Sequence, residues 1–155
     1  MKNTEKSKDT QQRTYCFSAD SDNNAMVAIG AEKWAYKDRS SVAGSPKRKH
    51  GSIKPGDYIM VYTKTTKVQS GGIRCVGMVM SYPEVGKAVT DLWSDGPYYD
   101  PFEFKVIIKG FILLEEVRQI LGTTESLNTY LGLQFADVAA KITSEEVAKI
   151  SNAMR

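Results

Sequence analysis

The stretch IKPGDYIMVYTKTTKVQSGGIRCVGMVM, residues 53–80, decides the fold. It opens on a predicted turn, because Pro55 fixes its own φ at about −65° and Gly56 tolerates positive φ. The side chains of residues 58–63 then alternate between two faces, which is typical of a strand, and residues 73–80 repeat this period of two. The two runs predict an antiparallel pair of strands joined by a polar loop. Within the second run, Gly77 indicates a bulge, a barrel corner or a close approach to the backbone.

The chain as a whole is predicted to form one domain. Its 155 residues are 41% hydrophobic, which is enough for a single core, and we place that domain at residues 13–155. Residues 1–12 are polar and lack aromatic or branched apolar side chains, so they are predicted to be disordered. No apolar run reaches the roughly 20 residues of a membrane span, and no signal peptide is visible. We therefore expect a cytoplasmic protein.

Further elements flank the central pair. TYCFSA, from Thr14, predicts a first strand, and Ser21 or Asp22 is positioned to cap a helix that ends at Gly30. Residues 31–52 are predicted to be a long ordered loop, and a second long connection covers residues 86–100. The apolar alternation of residues 102–109 predicts a strong strand, which Gly110 and the apolar residues after it extend round a barrel corner.

The C-terminal third of the chain predicts short helices. Residues 114–121 form one, stopped by Gly122, and a capping box of Thr143 and Glu146 opens another whose inward face carries Val147 and Ile150. Residues 125–131 are a weaker helical candidate. Residues 133–141 fit either a strand or a helix.

The residues offer little catalytic chemistry. The single histidine, His50, lies in a basic loop, and no nucleophile elbow, phosphate-binding loop or dinucleotide fingerprint is present. Cys16 and Cys75 lie in predicted strands, which favours buried thiols over a disulfide or a metal site. The three aspartates of the second connection match no calcium loop, so they are interpreted as solvated; they are Asp91, Asp95 and Asp100. We predict no enzyme activity, no cofactor and no metal.

Two aromatic residues and a basic run point instead to binding. Trp34 and Trp93 each lie on a long polar connection, where a tryptophan either plugs the edge of the core or offers a flat surface to a nucleobase. Between Ala31 and Lys54 there are seven basic residues and two acidic ones, although basic runs are usually only solvated surface. Together these features favour nucleic-acid recognition.

The order of these segments resembles the EVE domain family, which belongs with YTH and ASCH domains to the PUA-like superfamily. The resemblance rests on Trp34 followed by a basic loop, on KPGDYIMVYTK, on IRCVGMVMSYPEV and on FEFKVIIKG, and it covers nearly all of residues 13–154. It implies an α+β domain with a PUA-like curved mixed β-sheet or barrel flanked by short helices. It also implies a pocket that takes a modified base, such as a methylated cytosine or adenine, into an aromatic cage.

The resemblance also suggests residue roles. Trp34 matches the family tryptophan, and Asp20 with Ser21 match the polar turn that would contact the base edge. Trp93, Tyr98 and Tyr99 are our candidates for the other walls of the base pocket. Four residues of the basic loop are expected to hold phosphates: Arg39, Lys47, Arg48 and Lys49.

Three functions remain open from the sequence. The first is a non-enzymatic reader of modified bases in DNA or RNA, with a possible effector protein as a further partner. The second is an enzyme that acts on nucleic acid or nucleotides. The third is a module that binds a small ligand or a protein in the same pocket.

Overall fold

The structure is a computed structural model. It describes residues 12–19, 21–36, 53–65, 70–84, 86–94, 97–122 and 142–155. Most of the tail predicted to be disordered lies outside these ranges, as do the undecided segments 125–131 and 133–141. Gln12 is described, and its side-chain amide donates a hydrogen bond to the backbone oxygen of Gly56 at 2.7 Å.

The described residues form six strands and three helices. The strands are β1 (Thr14–Ala19), β2 (Lys33–Tyr36), β3 (Tyr58–Thr63), β4 (Gly72–Val79), β5 (Ala88–Val89) and β6 (Tyr98–Leu113). The helices are α1 (Asp22–Ala31), α2 (Leu114–Leu121) and α3 (Ser144–Ala153). This is the α+β architecture predicted from the sequence.

The strands form one mixed, curved sheet in the order β1-β3-β4-β6-β2, with β5 beside β6. β1 runs parallel to β3, and the other pairs are antiparallel, including the predicted pair β3 and β4. The register shifts within β3–β4, β4–β6 and β2–β6. Such irregularities bend a strand and increase its twist, which explains the curvature.

Two stretches interpreted as loops contain strands. β2, with Trp34, lies inside the predicted loop 31–52, and β6 begins at Tyr98 rather than Phe102. Both are short or irregular runs that become strands only by pairing with each other: Trp34 lies opposite Phe102, and Tyr36 opposite Tyr99. β6 then continues through Gly110 to Leu113, as predicted.

The turn that opens β3 is held by a buried carboxylate. Asp57 is fully buried, and its side chain accepts hydrogen bonds from the backbone N–H groups of Arg13 and Lys54, at 3.1 and 3.0 Å. The ammonium of Lys54 adds an ion pair at 2.7 Å. Gly56 has the positive φ, 97°, that its place in the turn requires. One side chain thus joins the start of β1 to the start of β3.

The sheet carries a hydrophobic core on each face. The first core contains Phe17, Ile59, Val61 and Phe104 and is covered by α1. The second core contains Met60, Tyr62, Val76 and Ile112 and is covered by α2 and α3. The central strands are apolar on both faces because both faces are buried.

The helix ends follow the sequence signals closely. The Ser21 side chain caps α1 by accepting from the N–H of Asn24 at 3.1 Å. α1 ends at Ala31, one residue beyond the predicted Gly30, and Glu32 forms its left-handed cap at φ 54°. The capping box of Thr143 and Glu146 opens α3 as predicted. Ala25, Ala28 and Ile29 of α1 are buried, whereas Met26 is exposed.

Two glycine-to-alanine substitutions should have opposite effects on stability. A Cβ at Gly77 would lie 2.8 Å from the backbone oxygen of Lys105 and 2.8 Å from the Phe104 ring, whereas a Cβ at Gly30 meets nothing within 4 Å. We expect Gly77→Ala to lower the free energy of unfolding by about 1–3 kcal/mol. Gly30→Ala should raise it by about 0.5–1 kcal/mol, because alanine favours the helix.

Urea denaturation of both variants checks this pair. Gly30→Ala is the matched control, since it adds the same methyl group on the same scaffold. A Gly77→Ala protein as stable as the original would contradict the close approach of β6 to this position.

Candidate nucleobase site

Six aromatic side chains from four parts of the chain meet in the first core. We call them the aromatic cluster: Phe17, Trp34, Tyr36, Trp93, Tyr98 and Phe102. The Trp34 and Trp93 ring centroids lie 5.1 Å apart at 76°, and those of Trp93 and Tyr98 lie 4.3 Å apart at 62°. Phe17 contacts Trp34 at 5.4 Å. Aromatic pairs favour such tilted and edge-to-face geometries.

Trp93 reaches the cluster from outside the strands and helices. Its indole Nε1–H donates to the backbone oxygen of Asn24 at 2.8 Å, which ties it to the first turn of α1. Trp34, in contrast, is held in β2 by its pairing with Phe102. The two tryptophans are therefore positioned by different kinds of structure, one by a sheet and one by a single indole hydrogen bond and ring packing.

The rings meet in direct contact rather than across a hollow. Trp34, Trp93 and Tyr98 are only 5%, 4% and 5% exposed. A base stacked between two rings needs about 7 Å between them, twice the contact distance of carbon atoms. The pocket expected from the resemblance is thus closed, because ring-to-ring contact buries the aromatic surface that a base would otherwise cover.

The other candidate base contacts are placed as follows. Tyr98 belongs to the aromatic cluster, but it lies on β6 rather than on a loop. Tyr99 is the next residue of the strand and is half-buried, so its side chain points to the opposite face. Ser21 lies three residues before Asn24, and its hydroxyl oxygen already serves as the cap of α1. The candidate Asp20 lies outside the described residues, as do all four candidate phosphate contacts: Arg39, Lys47, Arg48 and Lys49.

One of the three aspartates that were predicted to be solvated, Asp100, is buried instead. Asp100 is fully buried, adopts φ 55° and accepts a hydrogen bond from the N–H of Gly86 at 2.7 Å. Its carboxylate therefore accepts a hydrogen bond from the backbone just before β5 and is not exposed to solvent. Asp91 is exposed, as predicted, and Asp95 lies outside the described residues.

Arg74 is a residue that the sequence analysis did not single out. It stands on β4, and its guanidinium pairs with Asp22 of α1 at 2.8 Å. Its Nε–H donates to the hydroxyl of Thr63 at 3.3 Å, and its Cζ lies 4.1 Å from the centre of the Phe111 ring. The available signal was one charged residue in an otherwise apolar strand.

A cavity of about 160 Å³ lies beside β2 and β6. Its lining includes Lys33, Tyr82 and Glu103. Lys33 and Glu103 face each other across the two strands, and neighbouring strand residues point to opposite faces. Phe102 of the aromatic cluster also lines this cavity.

The described residues offer no metal site and no activated thiol. Within the ranges given above, no three His, Cys, Asp or Glu side chains are grouped to hold an ion. Both cysteines are buried and free, as predicted. Burial raises the pKa of Cys16 and the pKa of Cys75 to about 12, from 9.0. Neither is a thiolate nucleophile near neutral pH.

The raised thiol pKa values predict a loss of stability in alkali. Between about pH 9 and pH 12 the unfolded chain releases thiol protons that the folded chain retains, so the stability present below pH 9 falls as the pH rises. Each thiol should lower the free energy of unfolding by about 1.4 kcal/mol per pH unit in this window.

Urea melts at pH 8 to 10.5 of the original protein and of Cys16→Ala measure this slope. The variant should lose less stability over the same range. Ellman's reagent at pH 8 should label both thiols only after unfolding, and rapid labelling of the folded protein would contradict their burial.

No helix among the described residues has the length and apolar character to cross a membrane.

The curved mixed sheet and its two covered faces define the class of fold: the chain has an α+β fold like that of YTH domains of known structure. No protein-family model matches the sequence, and no curated protein sequence matches it either. The likeness is to solved structures.

Three of these solved structures illustrate the likeness. The YTH domain of Zygosaccharomyces rouxii MRB1, solved with N6-methyladenosine RNA, has a TM-score of 0.58 at 13% identity, over 94% of this chain and 90% of that one. The Toxoplasma CPSF4 YTH domain, solved with a 7-mer m6A-modified RNA, scores 0.52 at 16% identity over 93% of each chain. The YTH protein mmi1, in complex with RNA, scores 0.54 at 14% identity over 92% of this chain and 81% of that one.

Proposed function

We propose that this protein is a non-enzymatic reader of a methylated base in single-stranded RNA, held between Trp34 and Trp93. The observation that carries the proposal is the convergence of Trp34, Trp93 and Tyr98, from β2, a connection and β6, beside the first turn of α1. The likeness of the fold to YTH domains solved with methylated RNA supports the same reading. The KPGD turn and the VGMVMSYPEV segment favour an EVE domain as the particular relative.

A base enters this site by displacing Trp93. Trp34 is fixed by the β2–β6 pairing, whereas Trp93 lies outside the regular elements. Moving Trp93 costs its hydrogen bond to Asn24, about 0.5–1.5 kcal/mol net, and its ring contacts, which have a similar value. Stacking a base on a ring returns about 1–3 kcal/mol for each ring. The stacking free energy on Trp34 and Trp93 together therefore offsets the free-energy cost of opening the site.

A methyl group on the base favours such a site for a simple reason. Burying one methyl group among aromatic rings contributes about 0.8 kcal/mol, which is roughly a fourfold gain in affinity. The closed, largely water-free cluster supplies this environment. The test therefore needs a precision better than twofold in Kd.

Fluorescence anisotropy with labelled 9-nucleotide RNA supplies the test. The panel holds one sequence with adenine, N6-methyladenine, cytosine or 5-methylcytosine at its centre, in RNA and in DNA form. We expect one methylated RNA to bind at least fourfold more tightly than its unmodified form. Equal affinity for all members of the panel overturns base reading. Cleavage or alteration of the oligonucleotide, detected by mass spectrometry, favours the enzyme hypothesis instead.

Further parts of the proposal concern the cellular setting. A reader without chemistry of its own acts through other molecules, so we propose an effector protein as a partner. We propose a cytoplasmic location for the same complex.

The basic segment that includes Arg39, Lys47, Arg48 and Lys49 is proposed to contribute phosphate contacts, because binding to RNA depends on neutralising phosphates.

A further inference from the structure

We infer that Arg74 binds a backbone phosphate of the RNA and that Asp22 is an intramolecular competitor for the same guanidinium. This inference rests on the proposed function, and it assigns to the interface a residue outside the basic segment. Asp22 pairs with Arg74 at 2.8 Å through one carboxylate oxygen. A phosphate can take the place of that carboxylate because both present oxygen acceptors to an arginine fork.

Arg74 is held in position independently of Asp22. Its Nε–H donates to Thr63 of β3 at 3.3 Å, and its Cζ stacks 4.1 Å from the Phe111 ring centre of β6. These neighbours belong to the sheet, so the guanidinium stays in place when the carboxylate leaves. Within the described residues, Nε–H is the one guanidinium donor in a hydrogen bond, because the Asp22 contact at 2.8 Å is an ion pair without hydrogen-bond geometry. The remaining donors suit a ligand with several acceptor oxygens.

The exposures of the two side chains show which partner is replaceable. The Asp22 side chain is 47% exposed and that of Arg74 is 20% exposed. An ion pair with a half-exposed partner contributes little to stability, since water and salt screen it. Asp22 can therefore turn towards solvent at low cost, whereas Arg74 stays packed on Phe111.

Arg74 and Trp93 contact the same first turn of α1. Asp22 and Asn24 are two residues apart in the first turn of α1, and the backbone oxygen of Asn24 receives the indole N–H of Trp93. One helical turn is about 5.4 Å long, so the ion pair and the Trp93 contact share this turn. The phosphates that flank a bound base are joined to it through the sugar, and we place one of them at Arg74.

The experiment measures how the affinity for RNA depends on salt. The probe is the 9-nucleotide RNA with N6-methyladenine, alongside its unmodified form, titrated at 50 to 300 mM KCl. Each phosphate neutralised on a single strand contributes about −0.7 to the slope of log K against log salt. We expect Arg74→Gln to reduce the size of this slope by about 0.7 and to weaken the binding of both RNAs about tenfold.

Asp22→Asn provides the sharper arm of the experiment. It removes the competing charge and keeps Arg74, so we expect both RNAs to bind about two- to fivefold more tightly. A purely structural ion pair predicts unchanged or weaker binding. The matched control is Arg118→Gln, which also removes an arginine from an ion pair but lies on α2 beside Glu115. It should leave the salt slope unchanged.

The outcomes separate this inference from the proposed function. Unchanged binding in both Arg74→Gln and Asp22→Asn, with methyl preference intact, overturns the phosphate role and leaves base reading in place. If Arg74→Gln loses the methyl preference without weakening the binding of unmodified RNA, the phosphate role is also overturned, because a phosphate contact acts on both RNAs equally. If the original protein binds neither RNA, the inference and the proposed function both fail. If Arg74→Gln does not fold, the Asp22→Asn variant decides the question. Tighter binding of RNA by this variant supports the phosphate role of Arg74, and unchanged or weaker binding overturns it.

Discussion

Trp93→Ala is expected to abolish the preference for methylated RNA and to weaken its binding by about 5- to 150-fold. The substitution removes one of the two stacking surfaces, and each is worth about 1–3 kcal/mol. It also removes the indole that donates to Asn24. Binding of unmodified RNA should fall less, because phosphate contacts remain. Anisotropy titration of the two RNAs with the variant measures both effects.

Two further variants control this result. Trp93→Phe keeps a flat ring but loses the hydrogen bond to Asn24, so it should retain part of the methyl preference. Tyr82→Ala removes an aromatic ring that is 63% exposed, and it should change neither affinity nor stability appreciably. Thermal melts of all three variants establish that they fold. A folded Trp93→Ala protein with its methyl preference intact would contradict the assignment of Trp93.

Asp57→Ala should lower the free energy of unfolding by about 3–5 kcal/mol. The carboxylate is fully buried, and it holds the N–H groups of Arg13 and Lys54 together with the Lys54 ammonium. Removing it deprives those donors of a buried acceptor, which is the costly way to break such a pair. The junction of β1 and β3 should lose protection first.

Guanidinium denaturation and hydrogen exchange check the Asp57 prediction. Asp57→Asn is the matched variant: it keeps the shape and one acceptor oxygen, so its loss should be smaller than that of Asp57→Ala. If Asp57→Ala lowers the free energy of unfolding by less than about 1 kcal/mol, the turn is stabilised by Pro55 and Gly56 without the carboxylate, and the prediction is wrong.

Local signals in the sequence predicted most of the regular elements. The period of two in residues 58–63 and 73–80 predicted β3 and β4, and the capping residues Ser21 and Thr143 predicted the starts of α1 and α3. These signals succeed because a strand face or a helix cap is decided by residues only a few positions apart.

The elements around the candidate site were harder to predict. β2 and β5 are four and two residues long, too short to show a period, and both exist by pairing with the start of β6. The same pairing brings Trp34 to Phe102. The burial of Asp100, too, accompanies a hydrogen bond with the backbone of Gly86, which is distant in sequence. No local pattern carries such information.

The sequence by itself determined an α+β domain, its central strand pair, its helix caps and a chain whose two tryptophans lie 59 positions apart among polar connections. Only the tertiary structure decided that these tryptophans touch, that the site between them is closed, and that Arg74 of β4 meets Asp22 of α1. The physical reason is the range of the forces involved. Propensity and periodicity act within a few residues, whereas ring contacts and ion pairs depend on where the curved sheet brings distant residues together.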